Sequence, residues 1–172
     1  MSSKAKTKVT KVTKDHTFFY TAESPFSQFH PCSFTDSEGI TYCCAEQYMM
    51  YHKAKVFQDL EIASLILKET SPRKLKALGR RVEGFTDEVW NEHREIIVKQ
   101  GNLLKFGQNT DLKQSLMNTG TTVLVEASAG DRIWGVGMSV NDPAIVNEKN
   151  WKGLNLLGKA LTAVREELKH AV

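Results

Sequence analysis

Glu46 and Lys53 lie within AEQYMMYHKAK, residues 45–55, an acid and an amine seven positions apart. On an α-helix that spacing sets two side chains about 20° apart in direction and about 10 Å apart along the axis. Met49, Met50, Phe57 and Leu60 share the stripe, whereas Gln47, Tyr51 and Ala54 point elsewhere. An apolar stripe faces a core, where an unpaired charge is costly. Two readings stay open. The charged ends snorkel to the surface or reach separate partners, or both groups project into one cleft. In a cleft the carboxyl would donate or accept a proton. The amine would bind an anion, or attack a carbonyl or sugar carbon when partly deprotonated.

A second stretch, VEASAGDRIWGVG (residues 125–137), sets an acid, an arginine and a tryptophan in a glycine-containing loop after a strand. Strand ends and loops commonly carry functional side chains. Trp134 offers a stacking face for a base, and Asp131 an acceptor for sugar hydroxyls; the alternative is a structural loop around a core tryptophan. A third, NWKGLNLLG (residues 150–158), opens a helix whose free amides suit phosphate. Gly158 inside that helix costs about 1 kcal/mol against alanine, which points to a close approach by another helix or a ligand.

Other chemistries are disfavoured. The five histidines show no paired ligand spacing, and Cys43-Cys44 lacks the two-residue gap of zinc sites, so no metal is expected. GVGMSV does not join a strand to a helix as a dinucleotide fingerprint must. The chain has neither a phosphate loop of the G-x-x-x-x-G-K-[ST] kind nor a G-x-S-x-G elbow. No cofactor is expected.

The elements that must position these groups are mostly helical. His16–Thr21 reads as a strand, and Cys32–Thr35 with Ile40–Cys43 as a hairpin around Asp36-Ser37-Glu38-Gly39. Helices are predicted over Ala45–Lys55, Leu60–Lys68, Pro72–Val82, Asp87–Phe106, Asp111–Asn118 and Leu154–Lys169. The last has a core stripe of Leu154, Leu157, Leu161, Val164 and Leu168. Thr121–Ser128, dense in β-branched residues, is the best strand. The expected fold class is α+β: one mostly helical domain with a small antiparallel sheet.

The chain has 172 residues, 41% of them hydrophobic, which suits a single globular domain. Its formal charge of +3 is misleading, because Lys4, Lys6, Lys8, Lys11 and Lys14 precede the first acid, Asp15. The remainder carries 18 basic and 20 acidic residues. Residues 1–15 are expected to be a disordered Lys-rich tail, either merely solvated or a weak tether to nucleic acid or nuclear-import signal. No apolar run approaches the roughly 20 residues of a membrane span, and MSSKAKTKVTKVTK lacks the apolar segment expected of a signal peptide. Three cysteines without a framework suggest reduced thiols. The expected location is intracellular, cytoplasmic or nuclear, with no membrane association and no obligate protein partner.

Together these stretches resemble the NADAR domain family, which includes the bacterial YbiA-like proteins. The resemblance runs from about Phe18 to Leu168. Its carriers are Phe26-Ser27-Gln28-Phe29, then Ala45-Glu46-Gln47-Tyr48-Met49-Met50-Tyr51-His52-Lys53-Ala54, Gly79-Arg80, Trp90 with Arg94, and Lys105-Phe106. Leu124-Val125-Glu126, Asp131 with Trp134-Gly135-Val136-Gly137, and Trp151 with Gly153 to Gly158 and Arg165 complete it. A domain spanning residues 16–172 is expected.

The resemblance implies N-glycosidase chemistry on one of two substrate classes. One is ADP-ribose attached to guanine in nucleic acid. The other is the phosphoribosylamino-pyrimidine intermediates of riboflavin synthesis. A non-catalytic ADP-ribose reader is the rival from another class. The resemblance favours the cleft reading of Glu46 and Lys53 and adds Asp131 to them as catalytic candidates. In one route Lys53 attacks the anomeric carbon and forms a Schiff base while Glu46 shuttles protons. In the other Glu46 activates water and Lys53 stabilises charge. Substrate contacts are expected from Phe29, Tyr48, Arg80, Trp90, Arg94, Trp134, Gly135, Trp151 and Asn155. Of these, Trp134 and Trp151 would flank a base or adenine, and Arg80 and Arg94 would reach phosphates. The ligand expected is the ADP-ribose moiety of a modified nucleic acid, single-stranded because unstacking a base costs a few kcal/mol. Gln28 and Gln47 depart from the family pattern, which often has Asn and His there.

Overall fold

The computed structural model describes residues 10–171. Six helices form its body: α1 (Ala45–Val56), α2 (Leu60–Lys68), α3 (Pro72–Gly79), α4 (Asp87–Gln108), α5 (Thr110–Met117) and α6 (Leu156–His170). The strands are β1 (Thr10–Val12), β2 (His16–Phe19), β3 (Phe34–Thr35), β4 (Thr41–Tyr42) and β5 (Val123–Glu126). The α+β class stands. α1 is the hub, packed by α2, α3 and α4, while α6 lies between α4 and β5.

Local chemistry explains most boundaries. Asp59 caps α2 by accepting from the Ile62 amide, and Thr86 caps α4 through the Val89 amide. Pro72 starts α3, where its missing N–H is no loss. α1 is buried on more than one stripe: Gln47, Tyr51 and Ala54, expected to point elsewhere, are buried as well. Gln47 is a brace. Its amide donates to the Ile66 and Glu69 carbonyls at 3.0 Å each, and its Oε1 accepts from the Cys43 amide at 2.7 Å. Leu60 and Leu154, assigned to apolar stripes by periodicity, are 63% and 51% exposed. Both precede or open a helix, where the turn geometry has not yet brought the side chain inward.

Two further expectations are corrected. The sheet is not wholly antiparallel. Its order is β1-β2-β5, and β2 pairs in parallel with β5, Phe18 opposite Val125 and Phe19 opposite Glu126. All of α1 to α5 intervenes between these strands, so the chain can return in the same direction, as parallel pairing requires. The segment before residue 16 is not all tail. Thr10–Val12 is an antiparallel strand on β2, with Val12 opposite Thr17. Its β-branched residues suit a strand. Residues 1–9, which hold Lys4, Lys6 and Lys8, lie outside the described residues. The hairpin, as expected, is β3 and β4, with Phe34 opposite Tyr42.

Candidate active site

A cavity of about 590 Å³ opens where the start of α1, α3, the start of α4 and the end of β5 converge. That volume lies within the roughly 300–1,000 Å³ usual for small-molecule sites. Each element supplies particular side chains. α1 contributes Glu46, Met49, Met50 and Lys53; α3 contributes Lys76, and Arg80 follows it; α4 contributes Trp90. Glu126 comes from the end of β5, and Asp131 and Trp134 from the loop beyond. Tyr20, Thr21, Gln28 and Phe29 close one side. Thr21 has φ +79°, an uncommon conformation for a β-branched residue of the kind that clusters at functional sites.

The helices sit close because two glycines permit it. A Cβ at Gly79 would overlap the Met50 sulfur, so α3 rests directly on the α1 wall of the cavity. A Cβ at Gly158 would overlap the Leu124 carbonyl, so α6 lies against β5. The close approach suspected at Gly158 is therefore a strand.

Charge is divided across the cavity. Glu46 is 4% exposed, and its carboxyl makes no hydrogen bond among the described residues. Burial pushes its pKa up to about 7, Lys76 and Lys53 oppose the rise, and Asp131 adds to it. Glu126 is pushed up to about 8, by burial first and then by Asp131 and Glu46, against the pull of Lys76. Its Oε2 is shut off from solvent and has no partner. The Lys53 ammonium lies 4.4 Å from the Phe85 ring centroid and 5.8 Å from that of Trp90. Burial lowers its pKa; Glu46 and Asp87 counter this and Arg80 reinforces it. Lys76 and Arg80 are exposed at the rim.

The structure brings Glu46, Lys53 and Asp131 to one cavity, with Phe29, Arg80, Trp90 and Trp134 beside them. Asp131 is partly committed: its Oδ1 accepts from the Ile133 and Trp134 amides at 2.9 and 2.8 Å, shaping the loop. The other candidates do not line the cavity. Tyr48 is packed in the core against Gly101 of α4. Trp151 donates its indole N–H to the Ile145 carbonyl at 2.8 Å and packs edge-on to His16. Gly135 is small because a Cβ would crowd the Glu126 and Asp131 carbonyls. Asn155 is 3% exposed and clamps β5. Arg94 is one turn beyond Trp90 on α4, with its Nε buried and unpartnered. The helix start suggested for phosphate has its amides occupied, since Leu156 and Leu157 donate to the Ile133 and Trp134 carbonyls.

Glu126, Lys76 and Gln28 were not among the candidates, yet they line the cavity. The strand period carries a faint signal for Glu126, because β5 is buried at Leu124 and Val125 and ends on a charge. Gln28, noted only as a departure from the family pattern, accepts from Asn102 Nδ2 at 2.9 Å on its Oε1 while its Nε2 is left unpartnered.

Among the described residues no group of three or more His, Cys, Asp or Glu is arranged to hold a metal ion, and no helix is long and apolar enough to cross a membrane.

An α+β body holding carboxyls deep and cations at the rim of one cavity has the form of a small-molecule site. The NADAR domain model matches residues 17–169, and the chain belongs to that family. It is 44% identical over 146 residues to the N-glycosidase R617 of Acanthamoeba polyphaga mimivirus, covering 83% of this chain and 86% of that one. It is 39% identical over 171 residues to the protein irg-1 of Caenorhabditis elegans, covering 91% and 81%. The solved structure of the E. coli protein YbiA superposes with a TM-score of 0.73 at 25% identity, covering 94% of this chain and 89% of that one.

Proposed function

We propose that this chain hydrolyses the N-glycosidic bond joining ADP-ribose to guanine in single-stranded nucleic acid. The coarser part, a hydrolase acting on N-glycosidic bonds, follows from the family and from the name of its mimiviral relative. The observation that carries the reading is the convergence of the buried Glu46 carboxyl and the Lys53 amine on one cavity. A carboxyl pushed up to about 7 exchanges protons near neutrality. A lysine amine with a lowered pKa is a better nucleophile than a surface one.

The rest of the lining suits the ligand. Trp90, Trp134, Phe29 and Tyr20 offer faces to purine rings, and Lys76 and Arg80 at the rim offer charge to a diphosphate. A bare reader of ADP-ribose has no use for two buried carboxyls, because leaving them without partners is costly.

The test is a side-by-side assay with an oligonucleotide bearing ADP-ribosyl-guanine and with a phosphoribosylamino-pyrimidine. Faster release of ADP-ribose from the oligonucleotide is expected. Turnover of the pyrimidine alone would move the chain to the second substrate class, and tight ADP-ribose binding without turnover of either would make it a reader.

A further inference from the structure

We infer that Glu126 is the acid that delivers a proton to the leaving nitrogen, opposite Glu46 acting as base. The inference rests on the glycosidase reading above and gives a role to a residue that the family motif contains but to which the sequence reading assigned none. Three geometric facts carry it. Glu126 ends β5 at the cavity. Its Oε2 is buried without a partner. Its backbone is held from three sides: its N–H donates to Asn155 Oδ1 at 3.1 Å, its carbonyl accepts from the Val136 amide at 3.0 Å, and it pairs with Phe19 in the sheet. The backbone is thus fixed at the cavity, and the carboxyl it carries there keeps unused hydrogen-bonding capacity for a ligand. The carboxyl meets that description better than Asp131, one of whose oxygens is spent on its own loop.

The neighbours decide which carboxyl keeps the proton. Glu46 faces the amines of Lys53 and Lys76, with Asp131 and Glu126 as its carboxyl neighbours. Glu126 faces only Lys76, with Asp131 and Glu46 both opposed to its ionisation. Arg80 and Asp87 act on Lys53 rather than on either glutamate. Two carboxyls in one site with unequal surroundings divide into acid and base.

The step balances. The C1′–N bond breaks with its electron pair going to nitrogen, and the proton on Glu126 goes to that nitrogen. The oxygen of a water adds to C1′, and one of its protons passes to Glu46. Transfer of a proton from Glu46 to Glu126 restores both. If Lys53 attacks first, its nitrogen takes the place of the water oxygen, and water later replaces it. The leaving nitrogen needs the same proton by either route.

The experiment compares wild type and Glu126→Gln on two substrates: the ADP-ribosyl-guanine oligonucleotide, and the 4-nitrophenyl glycoside of ADP-ribose of the same anomeric configuration. Nitrophenoxide leaves without protonation. The expected result is a loss of at least about 100-fold on the oligonucleotide and of no more than about fivefold on the aryl glycoside. Equal losses on both, or none on the oligonucleotide, would overturn the assignment while leaving the glycosidase reading intact. A wild type inert on both substrates would overturn that reading and Glu126 with it. ADP-ribose binding by each protein reports folding, and Glu126→Asp, which keeps the proton on a shorter arm, should recover part of the loss if Gln folds poorly.

Discussion

Asn155 accepts the Glu126 amide proton on Oδ1 at 3.1 Å and donates from Nδ2 to the Leu124 carbonyl at 2.9 Å. One buried side chain thus satisfies a donor and an acceptor on the unpaired edge of β5 and ties the start of α6 to the residue that faces the cavity. Asn155 itself adopts φ 53°, a left-handed conformation that asparagine tolerates better than most residues.

Asn155→Ala should therefore cost at least about 2 kcal/mol, since it strands a buried donor and a buried acceptor. Asn155→Gly separates the causes, because glycine tolerates the backbone and lacks the amide. Similar losses in the two variants, measured by urea denaturation, would assign the cost to the hydrogen bonds. Full stability in the glycine variant would assign it to the backbone.

Gly158→Ala is expected to destabilise by about 1–3 kcal/mol, as overpacked cores do. Alanine is the better helix former by about 1 kcal/mol, so a surface glycine would show the opposite sign. Here the new methyl meets the Leu124 carbonyl, which belongs to a strand paired on β2 and cannot rotate aside. At this chain size each kcal/mol corresponds to roughly 2–4 °C in Tm, and a melting curve decides the sign.

Borohydride added during turnover should trap a covalent adduct on wild type if Lys53 is the nucleophile. Lys53→Ala should then show none. An adduct that persists in Lys53→Ala, or a lack of adduct in an active wild type, would shift the attack to water activated by Glu46. Mass spectrometry of the digested protein locates the modified residue.

The carboxyls also predict how stability depends on pH. Glu126 is held up to about 8 and Glu46 to about 7, against an ordinary value of 4.5. Between the ordinary and raised values the folded state binds more protons than the unfolded state, so stability falls as pH rises from about 4.5 to about 8. Glu126→Gln removes its share of that slope. Its stability gain over wild type should be larger at pH 8.5 than at pH 5, by at least about 1 kcal/mol. An equal difference at the two pH values would mean that Glu126 is not held protonated. Lys105, lowered to about 8 by burial, contributes the opposite sign above pH 8 in both proteins.

The helices were legible because their caps and periods are local. Thr86 and Pro72 at helix starts and the spacing of Glu46 and Lys53 act within a turn or two, so chain order alone carries them. Direction across the fold was less legible. Tyr48, Trp151 and Asn155 share motifs with cavity residues, but their packing is set by partners far along the chain, such as Gly101, His16 and Leu124. Glu126 shows the converse. Its place in the Leu124-Val125-Glu126 motif gave it no role, because the carboxyl that pairs with it electrostatically, Glu46, lies 80 positions earlier in sequence. The parallel pairing of β2 and β5 was hidden for the same reason, because it depends on the path of all the intervening helices.

The central claim is that Glu46 works on a bound glycoside. Its most direct test is single-turnover release of ADP-ribose from the modified oligonucleotide by wild type and Glu46→Gln, with ADP-ribose affinity measured on both. The account predicts a loss of at least about 100-fold in the rate, with affinity held within a few-fold. Release by Glu46→Gln at the wild-type rate would contradict it.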